Sequence, residues 1–193
     1  MQDLRTVNKL RRRHQILLAA HDVIARDGIE ALTMRSLADA ALVSVPTVYA
    51  LVGGRDDIID ALMAEGVHRF DHGTAGLTTR GLTRVTSVIE LFCGIVDHER
   101  ELVRGLLASG VLASFGAERF LVLHRVADEL ERAFTEAVAD GDLRAGTDPA
   151  EASTVLVRLG LGAVVDWVVD LRSPETLRAD LLRSVTIVIA AFS

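Results

Sequence analysis

Six histidines and one cysteine are the residues of this 193-residue chain best suited to hold a metal or move a proton. His68 and His72 stand four apart, which puts both imidazoles on one face of a helix at a spacing some zinc sites use. No glutamate follows His68 and no third ligand is spaced nearby, so the pair reads as solvent-facing histidines at a helix end rather than a metal centre. His98-Glu99 and His124 lack a serine, cysteine or acid at a spacing that would mark a catalytic set. No Walker loop and no dinucleotide fingerprint occurs. Cys93, flanked by Phe92 and Gly94 in an apolar stretch, reads as a small core residue, with redox sensing as the sharper alternative. The expectation is a protein that is not an enzyme and carries no cofactor or metal.

The residues from Thr33 to Arg55 offer a different chemistry. Thr33 can cap one short helix and Ser44 a second, because a side-chain oxygen accepts from the free amides of a first turn. Leu37, Ala38 and Ala41 form a compact apolar seam between the two. Pro46 falls in the first turn of the second helix, where its missing N–H would have had no intrahelical partner. Gly53-Gly54 ends the unit. Two helices this short need outside support, and together they read as a helix-turn-helix, whose second helix enters the DNA major groove.

The charge distribution agrees. The net charge of −6 looks unsuited to a nucleic-acid partner until it is divided along the chain. Residues 1–60 hold 8 Lys/Arg and 8 Asp/Glu, whereas residues 61–193 hold 13 and 19. Arg5, Lys9, Arg11, Arg12 and Arg13 stand against Asp3 alone in residues 1–21, so basic charge gathers where phosphate contacts would use it.

The elements that must position these residues are helical. Half the chain is apolar, aromatics are few and only three prolines occur. Residues 1–8 are expected to fray. Ile16, Leu17, Ala20, Val23 and Ile24 recur at helical steps between about Lys9 and Arg26, and Gly28 supplies a left-handed stop. Further helices are expected over 55–70, 82–97, 98–109 and 117–140, with loops at 73–81 and 110–116. Asp148-Pro149-x-Glu151 and Ser173-Pro174 open two last helices, about 149–171 and 174–192. Apolar residues spread around both, so both must be covered on more than one face, one by this chain's core and the other by a second copy. The longest apolar run, residues 159–165, stops at Asp166, well short of the roughly 20 residues of a membrane span. With no opening signal peptide and no possible internal disulfide, a soluble cytoplasmic protein is expected.

The ordered pattern Arg13-x-x-Ile16-Leu17-x-Ala19-Ala20, Gly28, Leu32-Thr33-Met34-Arg35-x-Leu37-Ala38, Val43-Ser44-x-x-Thr47-Val48-Tyr49 and Arg55-Asp56 resembles the N-terminal domain of TetR-family transcriptional regulators. It covers residues 10–62. Gly141-Asp142-Leu143-Arg144, leading to Asp148-Pro149 and then to Gly160 or Gly162, resembles that family's approach to its penultimate helix.

The resemblance implies an all-α protein of about nine helices. Residues 1–54 would be a three-helix DNA-binding domain and residues 55–193 a helical effector-binding and dimerisation domain, with helix 55–70 connecting them. It implies a homodimer, usually a repressor, on a double-stranded DNA operator. A small-molecule effector would shift the dimer to a head spacing that no longer matches two half-sites about 34–36 Å apart. Thr33, Arg35, Ser44, Thr47, Tyr49 and Arg55 stand where the family meets phosphate. Pro46 replaces a common glycine and Leu51 an aromatic or histidine, which leaves base reading to Val45, Pro46 and Ala50, with Arg35 or Thr47. Effector-pocket candidates are Phe92, Val96, Leu106, Phe115, Phe120, Leu123, His124 and Trp167, and if they line a cavity the effector is largely apolar. Dimer candidates are Leu161, Val164, Val168, Leu181, Val185 and Val188, and Trp167 fits either set. The alternative from another class is a helical enzyme or ligand carrier that kept the head without specific DNA binding.

Overall fold

A computed structural model describes residues 4–108, 121–169 and 173–193. The expected loop at 110–116 and the candidates Phe115 and Phe120 lie outside these residues. Among the described residues the secondary structure is all-helical: α1 Leu4–Asp27, a 3-10 turn Ile29–Ala31, α2 Met34–Ala40, α3 Val45–Leu51, α4 Arg55–Ala75, α5 Gly81–His98, α6 Arg100–Ala108, α7 Leu121–Ala139, α8 Pro149–Val169 and α9 Pro174–Phe192. No described helix is long and apolar enough to cross a membrane.

The chain forms two compact units. One runs to Gly66 and takes in the segment from Glu99; the other holds Val67–His98 and the C-terminal part of the chain. In the first unit, α1 lays Ile16, Leu17, Ala20, Val23 and Ile24 into the core at the expected steps. Leu32, Leu37, Val48, Ile58 and Ile59 complete that core, each at most 1% exposed. The helix starts earlier than expected, at Leu4 rather than Lys9. Residues 4–12 contain no glycine or proline, and leucine, arginine and lysine prolong a helix readily once its inner turns are fixed.

An unexpected member of this unit is α6, which packs on α1 and on the 3-10 turn. A Cβ at Gly105 would lie 2.3 Å from Ile29 Cγ2 and 2.7 Å from its Cβ, so only glycine allows this approach. His21 of α1 also faces Glu99 at 3.4 Å, just ahead of α6.

In the second unit α5 packs on α7 and α9, α7 on α8, and α8 on α9. Val85, Val88, Leu130, Phe134, Leu156, Trp167, Leu177 and Leu181 fill the interior. Arg84 interrupts the apolar stripe of α5 at 6% exposure. Its guanidinium donates to the carbonyls of Thr74, Leu77 and Thr79 and, at 2.8 Å, to Glu129 Oε2, so it staples the α4–α5 loop to α7. That loop is shorter than expected because α4 continues to Ala75.

The turn Gly141–Arg144 has a structural task. Gly141 has φ +80°, and Asp142 N–H returns to Ala137 O at 2.9 Å, closing α7. Arg144 then donates from its backbone to Phe192 O and from its guanidinium to Ala191 O, both at 3.1 Å, which satisfies the last carbonyls of α9. Asp148 caps α8 through Ala150 N–H at 3.0 Å. Ser173 precedes α9 as expected but makes no side-chain bond to a first-turn amide; its hydroxyl faces that of Thr176 at 3.3 Å.

Candidate nucleic-acid interface

Seven-residue helices leave most of their amides and carbonyls without intrahelical partners, so α2 and α3 depend on their ends. Thr33 Oγ1 accepts from Ser36 N–H, and Ser36 Oγ accepts from Thr33 N–H, both at 3.0 Å. This is a capping box with serine in the place usually held by glutamate or glutamine. Ser36 Oγ also donates to Ala31 O at 2.7 Å, tying the box to the 3-10 turn. Ser44 Oγ accepts from Thr47 N–H at 3.3 Å and meets Thr47 Oγ1 at 2.7 Å.

The turn between the helices is made by Leu42, which has φ +54° and is 92% exposed. Val43 N–H reaches back to Ala38 O at 3.0 Å and Ala41 N–H to Leu37 O at 2.9 Å, so α2 ends in a left-handed cap. The cap occurs without glycine, at a steric cost that leucine pays through its Cβ. Gly53, at φ +125°, turns the chain out of α3; a Cβ there would lie 2.3 Å from Asp57 Oδ2. The same carboxylate accepts from Gly54 N–H at 2.8 Å and holds the start of α4.

These constraints leave one helix face buried and the other open. Val48 is fully buried, whereas Thr33, Arg35, Ser44, Pro46, Tyr49 and Ala50 are exposed and Val45 and Thr47 half-buried. Tyr49 is 55% exposed. Beside α3 runs a groove of about 700 Å³, with Arg5, Asn8, Lys9, Arg11 and Arg12 of α1 on one wall and Pro46, Thr47, Ala50 and Leu51 of α3 on the other.

Arg55 differs from the other phosphate candidates. Its Nε donates to Leu32 O at 3.1 Å and its Nη2 to Ile29 O at 3.0 Å, and Glu30 stands 4.0 Å away. The side chain thus holds both ends of the 3-10 turn against the start of α4. Sequence reasoning gave it a role in DNA contact and missed this internal one.

The remaining candidates separate by unit. Leu106 is buried in the first unit, on α6, while Phe92, Val96 and Trp167 are buried in the second. Leu123 is half-buried and His124 exposed on α7. The second unit does contain a cavity of about 380 Å³, but Asp71, Thr74, Ala75, Leu77, Arg84, Glu129 and Arg132 line it, none of them among the expected residues. Arg84 carried one sequence signal, a charge on the inner stripe of an amphipathic helix. His68 and His72 are both exposed on α4.

The expected dimer residues need correction. Val164, Leu181, Val185 and Val188 are 6%, 1%, 4% and 1% exposed, so they belong to the chain's own core and cannot face a second copy. Val168 is half-buried. Leu161 stays on the surface, joined by Leu159, Val165 and Ile187 as exposed apolar residues of α8 and α9.

Cys93 is 8% exposed, and burial pushes its thiol up to about 11, which disfavours the thiolate that oxidation would require.

Residues 16–62 match the family described as bacterial regulatory proteins, tetR family. No curated protein matches the chain in sequence. Among solved structures, the chain is similar to SmeT, the repressor of the Stenotrophomonas maltophilia multidrug efflux pump SmeDEF, at 18% identity, covering 93% of this chain and 89% of that one with a TM-score of 0.68. The fatty acid degradation regulator FadR from Bacillus halodurans is similar at 20% identity, with coverages of 92% and 94% and a TM-score of 0.72. Salmonella enterica GusR is similar at 24% identity, with coverages of 95% and 96% and a TM-score of 0.71.

Proposed function

On the strength of its head, which is that of a TetR-family transcriptional regulator, we propose that this chain binds a palindromic DNA operator as a homodimer, acts as a repressor, and lets go when a small molecule binds behind the head. The observation that carries the reading is the exposed face of α2 and α3. Thr33, Arg35, Ser44 and Tyr49 are exposed and Thr47 half-buried, while the caps made by Thr33, Ser36, Ser44 and Thr47 fix the backbone. Hydroxyls and arginine are suited to phosphate, and the apolar tip Val45-Pro46 with Ala50 is suited to thymine methyls.

Dimerisation is assigned to the exposed apolar residues of α8 and α9. Leu159, Leu161, Val165 and Ile187 are 38–55% exposed, and a second copy would cover them. The effector is taken to be small and largely apolar on the expectation that Phe92, Val96 and Trp167, all buried in the second unit, face it; the cavity described there is lined instead by Asp71, Arg84, Glu129 and Arg132 among others. A coupling of about 1–3 kcal/mol between effector and DNA would regulate binding roughly 5–150-fold.

Selection from random duplex DNA tests the proposal. Enrichment of a palindrome at moderate salt is expected. Failure to enrich any sequence would overturn DNA reading and leave a helical ligand-binding protein or enzyme. A thermal-shift screen with small apolar compounds then tests the effector class, a raised midpoint that accompanies loss of operator binding being the expected result.

A further inference from the structure

We propose that the exposed first turns of α1 hold the phosphodiester backbone of the DNA strand flanking the groove that α3 enters, so that each head grips DNA with α1 as well as with α2 and α3. The proposal rests on the DNA-reading role assigned above and adds a second contact surface to it.

Residues 4–12 of α1 are all exposed, so these turns add nothing to the core of the first unit. They project about 13 Å of helix at 1.5 Å per residue. Arg5, Asn8, Lys9 and Arg12 follow one another at steps of three, one and three, which aligns them on a single face. That face, with Arg11, is one wall of the groove whose other wall is α3. No carboxylate lines the groove, and α3 contributes only uncharged side chains.

A cleft with cations on one wall and no acids selects a polyanion. The identity of the opposite wall fixes which polyanion. Thr47 and Ala50 belong to the helix that enters the major groove, so a strand lying against α3 continues along the basic face of α1. Lysine and arginine carried on a continuous helix meet phosphate without ordering a flexible tail first. Such contacts carry charge rather than sequence information.

The test is a salt titration of operator binding with the full chain and its Lys9→Ala/Arg12→Ala variant. Alanine keeps the helix, which circular dichroism confirms. The expected result is a plot of log affinity against log salt that is shallower by about 0.9 for each of the two cations in each head, with the selected sequence unchanged. An Arg80→Ala/Arg125→Ala variant, with the same charge change in the second unit, should keep the original slope. An unchanged slope in Lys9→Ala/Arg12→Ala overturns the proposal, and so does a changed sequence preference, which would make the α1 wall a reader of bases. Failure of DNA reading itself is seen separately, with the unaltered chain, as the absence of any enriched sequence.

Discussion

The pairs α2–α3 and α8–α9 are both successive helices that pack on one another, yet they are held by opposite means. The first pair has seven residues in each helix and is fixed at its ends, by Thr33 and Ser36, by Ser44 and Thr47, and by the left-handed cap at Leu42. The second pair has 21 and 19 residues and is fixed along its length by buried apolar side chains such as Leu156, Trp167, Leu177 and Leu181. In a short helix the unsatisfied end groups are most of the backbone, so end chemistry decides the structure. In a long helix the ends are a small fraction and the covered faces decide.

The contrast is broken most severely within α8–α9. Leu181→Ala should cost about 2–5 kcal/mol in denaturant unfolding, because a fully buried leucine leaves a cavity. Ile187→Glu, on the same helix but 55% exposed, should leave the fold intact and yield monomers by light scattering. A stable dimer from Ile187→Glu would refute the proposed seam.

Alkaline pH should act on the second unit next. The Cys93 thiol lies near 9.0 when exposed and is raised to about 11 by burial. The folded state therefore favours the neutral thiol, whose stabilising effect is complete below about 9 and lost as pH rises toward 11. Unfolding free energy should fall by on the order of 2 kcal/mol across that window, and Cys93→Ala should remove that part of the fall.

The head should respond to smaller changes at its caps. Thr33→Ala removes the acceptor for Ser36 N–H and should cost about 1 kcal/mol. Smallest of all, Leu42→Gly relieves the left-handed strain of about 1 kcal/mol but frees the unfolded chain, for a net gain of a few tenths in thermal or chemical unfolding. A clear loss on Leu42→Gly would show that the exposed leucine side chain has a contact of its own.

The same contrast explains what the sequence made legible. Caps are written as residue types at fixed spacing, so Thr33, Ser44, Pro46, Gly53 and Asp148 could be read as boundaries directly. The all-helical fold and the inner face of α1 followed from periodicity. The inner face of α8 did not, because apolar residues surround the helix and period alone assigns no direction; Val164 and Leu161 look equivalent in sequence and differ sixfold in exposure, 6% against 38%. The place of α6 was also hidden. Gly105 against Ile29 joins residues 76 positions apart, and nothing local marks a glycine as a contact rather than a flexible point. Arg55 was legible as a cation and illegible as a brace, since its partners are backbone carbonyls that every residue carries.

That brace gives α4 a fixed angular setting. Its first residue grips Ile29 O and Leu32 O with one planar guanidinium, and such a fork tolerates little rotation before both bonds are lost. The opening turn of α4 and the threshold of α2 are thereby clamped to each other through one side chain. Arg55→Lys, which keeps the charge but not the planar fork, would loosen that clamp.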